Sequence, residues 1–205
     1  MTSKAYRAAC SYILGLLDAQ TEFDFALDNV IYYCEKIFPH EDFEAFRKTE
    51  LIQEEIGFLK EWLNELLEYS SPHADISILW FYLVCENLNA SYSIDFCFAG
   101  DKKQELEKYR ASFIDSPDYL PERHLAHSKL LESWSKTIDE LSFDTSFFVE
   151  YVLGMTYSSF AARDLATYFA QRLTAPKPRL VKAGFRLGDA IRVGVIENGT
   201  FTINK

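Results

Sequence analysis

The sequence is poor in glycine and proline, the residues that build tight turns. Its 205 residues include 8 glycines and 6 prolines, and 48% of them are hydrophobic. An all-β fold needs frequent turns, so this composition disfavours one. The length and the apolar fraction indicate a single globular domain with one sizeable core.

Hydrophobic runs of membrane-spanning length are also missing. The longest apolar run, from Ile78 to Cys85, is shorter than ten residues, whereas a spanning helix needs roughly 20. The four cysteines are widely spaced and include no Cys-x-x-Cys pair, which predicts free thiols in a reducing compartment. We therefore predict a cytoplasmic protein that makes no contact with a membrane.

Segment 71–100 is apolar on nearly every side, and we interpret it as a buried central helix. Ile76, Leu79 and Leu83 follow helical spacing, and further apolar residues fill the other directions around the axis. A strand is the alternative, because apolar residues alternate with polar ones from Leu88 to Phe98. We prefer the helix and expect the other elements to pack around it.

Helical periodicity continues through most of the chain. Amphipathic patterns predict further helices at about 3–18, 22–38, 41–69, 101–113, 122–141 and 144–173. Three β-like runs follow at 179–185, 190–196 and 200–203, and Asn198-Gly199 between the last two predicts a hairpin turn. The sequence therefore predicts a mainly α, single-domain bundle of six or seven helices over residues 1–175. A linker and a short C-terminal β-hairpin (176–205) are expected to dock on this bundle.

Strong catalytic motifs are absent from the sequence. It contains no Gly-x-x-x-x-Gly-Lys, no Gly-x-Gly-x-x-Gly, no His-Glu-x-x-His and no Gly-x-Ser-x-Gly. The Glu-x-x-His pair of di-iron bundles is missing as well. We therefore predict no catalytic residues and no cofactor.

His124 and His127 are the best candidates for metal ligands. They are three residues apart, so on a helix at 122–141 they would share a face and could bind one metal ion through neutral imidazoles. Zinc normally takes three or four protein ligands, so another element would have to supply the rest. A metal-dependent helical-bundle enzyme using this pair is an alternative; the simpler interpretation is two polar residues in the first turns of a helix.

The most specific surface feature lies on the helix predicted at 41–69. At 100° per residue, five glutamates fall within an arc of about 60°. We call them the acidic stripe: Glu50, Glu54, Glu61, Glu65 and Glu68. Like charges four residues apart destabilise a helix slightly. The stripe is therefore either a solvated face or a surface that binds a basic partner.

Charge is unevenly distributed along the chain. The formal net charge is −10, which disfavours binding of nucleic acid through a basic face. Residues 171–205 carry seven Lys/Arg and two Asp/Glu, so this tail has a charge of +5 and the rest of the chain −15. Either the tail lies on the acidic stripe, or the acidic body binds a basic partner. The tail residues that could reach the stripe are Lys177, Arg179, Lys182, Arg186 and Arg192.

A short run near the end of the second predicted helix resembles a known family. Residues Cys34-Glu35-Lys36-Ile37-Phe38-Pro39, followed by Phe43 and Phe46, resemble the YjaG-like family of uncharacterised bacterial helical proteins. The predicted helix that opens at Pro121 resembles a later helix of that family. The resemblance implies an all-helical cytoplasmic fold and supplies no catalytic residues.

Together these features predict a non-catalytic cytoplasmic binding protein. Its most concrete form is an immunity or inhibitor-type protein whose acidic stripe covers a basic partner surface, such as that of a nuclease toxin. The alternatives are the metal-dependent enzyme above and a structural component that forms a homo-oligomer through the C-terminal hairpin. A lone hairpin is marginally stable in water, so it must pair with something.

Overall fold

The computed structural model describes residues 3–88, 91–102, 117–186 and 188–203. They form five α-helices: α1 (Ser3–Asp18), α2 (Phe23–Ile37), α3 (Thr49–Tyr69), α4 (Lys129–Ile138) and α5 (Phe143–Tyr168). A short 3-10 helix covers Glu44–Phe46. The strands are β1 (Ile78–Leu88), β2 (Ser91–Asp101), β3 (Leu125–Ala126), β4 (Arg179–Phe185), β5 (Ala190–Glu197) and β6 (Thr200–Ile203).

The six strands form one mixed sheet in the order β3-β2-β1-β4-β5-β6. β1 and β2 form an antiparallel hairpin in which Phe81 pairs with Phe98. On its other side β1 pairs in parallel with β4, which places Ile78 beside Leu180. The remaining pairs are antiparallel, and β3 and β6 lie at the two edges. The middle of the sheet therefore joins two parts of the chain that are far apart in sequence.

The helix predicted at 71–100 is wrong, and so is the mainly α bundle built around it. The segment forms β1 and β2, so the protein has an α/β fold. The all-helical fold that the family resemblance implied is therefore wrong as well. Buried side chains alternate between the two faces of β1: Leu79, Phe81 and Leu83 on one, Ile78, Trp80, Tyr82 and Val84 on the other. A strand buried on both faces is apolar on every side, as a central helix is, and a run of this length does not distinguish the two.

The central helix of the fold is α5. Its residues are buried on nearly all sides between Phe148 and Ala166, and it packs against β1, β4 and β5 as well as against α1 and α2. Gly154 lets it approach the sheet closely. A Cβ atom at this position would lie 2.7 Å from Phe185 Cζ and 2.9 Å from Leu83 Cδ1.

Two of the other predicted helices begin later than the periodicity indicates. α1 and α2 lie within their predicted ranges, whereas the helix predicted at 41–69 begins only at Thr49, after the 3-10 helix, and the helix predicted at 122–141 begins only at Lys129. Ser128 caps it, because its Oγ accepts a hydrogen bond from the Leu131 N–H at 3.0 Å. The helix predicted at 101–113 lies almost wholly outside the described residues. Across the described part of the chain, no helix is both long and apolar enough to cross a bilayer.

The three predicted C-terminal β runs are confirmed as β4, β5 and β6. Asn198 and Gly199 have φ angles of 50° and 74°, the left-handed pair expected of a two-residue hairpin turn. The position expected for the hairpin is wrong, because it does not dock on a bundle of helices. β4 pairs with β1, so the C-terminal strands are an integral part of the sheet.

Candidate functional site

All five glutamates of the acidic stripe lie on α3 and are exposed to solvent. α3 buries Ile52, Leu59 and Leu63 in the core. The stripe lies on the opposite side of the helix, as the 100° periodicity requires. The helix therefore turns a continuous line of carboxylates outward.

The lysine and arginine side chains that the structure describes leave most of this charge uncompensated. Within the described residues, no lysine or arginine forms an ion pair with the first four glutamates of the stripe. Lys60, on the same helix, lies over the ring of Tyr168, with Nζ 4.7 Å from the ring centroid. The fifth glutamate, Glu68, accepts a hydrogen bond from Asn64 Nδ2 at 2.9 Å.

Two cations of the basic tail are bound elsewhere. The buried Arg179 guanidinium donates hydrogen bonds to the backbone carbonyls of Ile76, Leu173, Pro72 and His73. Lys182 lies over the Trp80 ring, with Nζ 5.0 Å from its centroid. Both residues hold the sheet and its connections in place, so neither neutralises the acidic stripe.

A band of apolar side chains runs beside the stripe along α3. With Glu50 set at about 0°, the stripe extends to about 60° around the helix, and the apolar band lies between about 80° and 120°. The band consists of Leu51, Phe58, Trp62 and Tyr69. Phe58 and Tyr69 are exposed, and Tyr69 retains 81% of its accessible surface. One side of α3 therefore combines carboxylates with aromatic and aliphatic surface.

The C-terminal half of this band lines a cleft of about 560 Å³ between α3 and the loop before β3. Its walls comprise Trp62, Glu65, Leu66, Tyr69, Ser70, Leu120, Pro121, Glu122 and Arg123. Trp62 Nε1 donates to the Arg123 carbonyl at 3.0 Å and ties the loop to the helix. Arg123 adopts a φ of 61°, which is rare for a residue with a side chain. Its guanidinium carbon lies 5.9 Å from the Tyr69 ring centroid.

The N-terminal half of the band lines a smaller cavity of about 130 Å³. Its walls comprise Leu51, Glu54, Glu55, Phe58, His127 and Lys129. Both depressions thus lie between α3 and segment 120–129, and we call the pair the α3 groove. Its α3 wall carries Glu54 and Glu65, and its opposite wall carries Arg123 and Lys129.

Glu55 at the base of the smaller cavity is buried, with 4% of its surface exposed. The Tyr157 hydroxyl donates a hydrogen bond to its Oε1. Burial raises the pKa of Glu55, and hydrogen bonds from Tyr157, Ser128 and the Leu130 N–H oppose that rise. Because Leu130 lies in the first turn of α4, Glu55 joins α3 to the N-terminus of α4 and has a structural role.

His124 and His127 do not share a helical face, so the predicted pairing of these residues is wrong. They flank the two-residue strand β3, and their Nδ1 atoms have different partners. His124 Nδ1 lies 2.9 Å from the Pro121 carbonyl oxygen, and His127 Nδ1 lies 2.6 Å from Oδ1 of the buried Asp95. In the part of the chain that the structure describes, no three His, Cys, Asp or Glu side chains are grouped to hold a metal ion.

The groove residues outside the stripe were not predicted as functional. Helical periodicity alone places Trp62 at the margin of the buried face of α3 and Tyr69 at the end of the predicted helix. The available signal was the angular position of Tyr69, about 40° from Glu65 and about 80° from the buried Leu59. Trp62 gave no such signal, because it lies about 60° from each of these two residues. Leu120 and Arg123 gave no such signal, since they reach the groove through a loop.

Compared with known proteins, the chain matches no family model, no curated protein and no solved structure. The resemblance to the YjaG-like family therefore stays a prediction, apart from the fold that it implied.

Proposed function

We propose that this protein is a non-catalytic cytoplasmic binding protein whose α3 groove holds a basic partner. The partner segment carries lysine or arginine side chains toward the acidic stripe and an apolar or aromatic side chain into the cleft beside Tyr69. Charge on the rim attracts and orients such a partner. Burial of an apolar anchor in the cleft then supplies most of the affinity.

One observation carries this proposal: an exposed aromatic cleft lies on the same side of one helix as carboxylates that form no ion pair with any described lysine or arginine. Glu65 belongs to both features. A stripe that only kept the protein soluble would not need Tyr69 and Leu120 exposed next to it. The arrangement is that of a recognition surface with a polar rim and an apolar centre.

An inhibitor of a nuclease toxin is the most concrete form of this function. Nucleases that act on a phosphate backbone present clustered lysine and arginine side chains. An acidic surface with an apolar anchor can cover such a cluster and block access to it. The five carboxylates of the stripe fit this role.

The test compares capture of partners from the cells that produce the protein. The variant Glu54→Lys, Glu61→Lys, Glu65→Lys reverses the stripe, and Tyr69→Ala removes the anchor's contact without touching charge. The matched control, Asp18→Lys, Glu140→Lys, Glu197→Lys, makes the same change in net charge at exposed carboxylates outside α3. Circular dichroism first establishes that all variants are folded.

We expect one basic protein in stoichiometric amount with the wild type and with the control. Both groove variants should lose it, and added salt should release it from the wild type. Equal capture by the wild type and the stripe variant would refute the proposal, and so would the absence of any partner. If the control variant also loses the partner, capture depends on the net charge of the protein and not on the position of the acidic stripe.

The position of β6 favours a second candidate, a homo-oligomer formed through the C-terminal hairpin. β6 lies at an edge of the sheet and is four residues long, so its outer backbone groups can pair with another strand. Sedimentation equilibrium of the wild type and of Thr202→Lys tests this candidate. A dimer that the substitution abolishes would support it, and a monomer at all concentrations would exclude it.

A further inference from the structure

We propose that a second site, beside the N-terminal half of α5, binds a quaternary ammonium group. The site is an open cleft of about 530 Å³ where α1, α5 and the β4–β5 turn meet. We call it the aromatic cleft; its walls comprise Tyr6, Phe147, Glu150, Tyr151, Phe185, Gly188 and Asp189. It is independent of the proposed partner binding on α3.

The fold fixes four aromatic rings around this cleft. Phe147 and Tyr151 are four residues apart and share one face of α5. Phe185 enters from β4 because Gly154 leaves room for its ring, and it stacks on Tyr151 with a centroid distance of 5.8 Å and an interplanar angle of 17°. The Tyr6 ring of α1 stands nearly perpendicular to Tyr151, at 87° and 4.9 Å. The cleft thus has aromatic walls in two orientations.

The β4–β5 turn places a carboxylate at the same point. The Phe185 N–H donates to the Asp189 carbonyl at 3.1 Å and closes the turn. Gly184, with φ of 154°, lies so close to this turn that a Cβ would be 2.2 Å from the Asp189 carbonyl oxygen. The Tyr151 hydroxyl then donates to Asp189 Oδ2 at 2.8 Å. The same hydroxyl lies 3.0 Å from Cys10 Sγ, so Tyr151 and Asp189 are held together.

The charge around the cleft is of one sign. Glu150 and Asp189 are among the wall residues, and no lysine or arginine of the described chain is. Arg186 follows Phe185 directly, at the start of the turn after β4, and does not line the cleft. Its charge acts instead on the far face of the sheet, where burial raises the pKa of Cys97 to about 12 and Arg186 opposes the rise.

Aromatic walls with a carboxylate suit a cation that keeps little hydration. Ring faces attract positive charge through their quadrupoles, and quaternary ammonium groups are recognised in this way. A strongly hydrated ammonium would lose more on entering an apolar cleft. The exposed Phe147, with 54% of its surface accessible, gains the most buried area when such a group is bound. A neutral apolar ligand would contact the aromatic walls but would not be attracted by the charge of Asp189.

The experiment titrates the full chain with choline and with 3,3-dimethyl-1-butanol, the uncharged isostere of choline, by calorimetry. We expect choline to bind and the alcohol to bind about tenfold more weakly. Phe147→Leu keeps an apolar side chain but removes the ring, and should weaken choline binding about fivefold. Phe147→Tyr keeps an aromatic ring and should bind choline about as tightly as the wild type. Asp189→Asn keeps the hydrogen bond from Tyr151 but removes the charge, and should weaken choline binding.

Two controls locate the binding. Phe25→Leu changes an exposed aromatic residue on α2, and the triple lysine variant of α3 changes the groove; both should bind choline as the wild type does. The proposal is overturned if choline shows no saturable binding at millimolar concentration. It is equally overturned if the alcohol binds as tightly, or if folded Phe147→Leu and Asp189→Asn proteins bind choline unchanged.

Discussion

Two neighbouring glutamates of α3, Glu54 and Glu55, have opposite environments. Glu54 is exposed on the rim of the α3 groove, whereas Glu55 is buried beneath it and held by Tyr157 and by the start of α4. One step along a helix turns a side chain by about 100°, and here this step separates a charge open to a partner from a carboxylate built into the core. The contrast separates a buried base of the groove from a rim that is exposed to solvent.

This contrast predicts a large difference in stability between two equivalent truncations. Glu55→Ala leaves the Tyr157 hydroxyl and the Leu130 N–H without their acceptor in the core and should reduce the free energy of unfolding by about 3 kcal/mol or more. Glu54→Ala should change it by less than about 0.5 kcal/mol. Urea unfolding of both variants followed by circular dichroism measures the difference. Similar values for the two would contradict the structural role of Glu55.

The buried carboxylate should also make stability depend on pH. Burial raises the pKa of Glu55 above its ordinary value of 4.5, so the folded state holds this proton to higher pH than the unfolded state does. Its favourable contribution is complete below the unfolded pKa and is lost as pH rises through the folded pKa. As pH rises above 4.5, the unfolding free energy of the wild type should therefore fall relative to that of Glu55→Gln. Parallel pH profiles for the two proteins would rule this out.

The smallest expected effect concerns the exposed rim. Glu65→Gln removes like-charge repulsion with Glu61 and Glu68, which lie four and three residues away, and should raise stability by a few tenths of a kcal/mol. The gain should shrink at high salt. Thermal unfolding at low and high ionic strength measures it, with Glu197→Gln at an exposed position of β5 as the matched control. Destabilisation by Glu65→Gln would mean that the rim charges are paired after all.

The helices were predictable wherever one face was buried and the other solvated. α3 is an example, because Leu59 and Leu63 recur at helical spacing opposite the glutamates. The C-terminal strands were predictable because Asn198-Gly199 specifies its turn locally. In both cases the pattern along the chain and the final environment agree.

Residues whose environment depends on distant parts of the chain were not predictable. Trp80 and Phe81 are buried on opposite faces of β1, so no polar side marked the segment as a strand. His127 pairs with Asp95 across the β2–β3 edge of the sheet, a contact that helical spacing cannot reveal. The α3 groove needed both α3 and the loop carrying Arg123, and only the glutamates on its rim were evident from the sequence.

The parallel pairing of β1 with β4 has a consequence for how the chain is made. Because Ile78 pairs with Leu180, β4 must leave the ribosome before the middle of the sheet can close. Until then the β1–β2 hairpin presents an open edge with apolar side chains on both faces, a form that favours aggregation. A nascent chain truncated before Arg179 should therefore depend on chaperones, and this dependence should end once β4 can pair with β1.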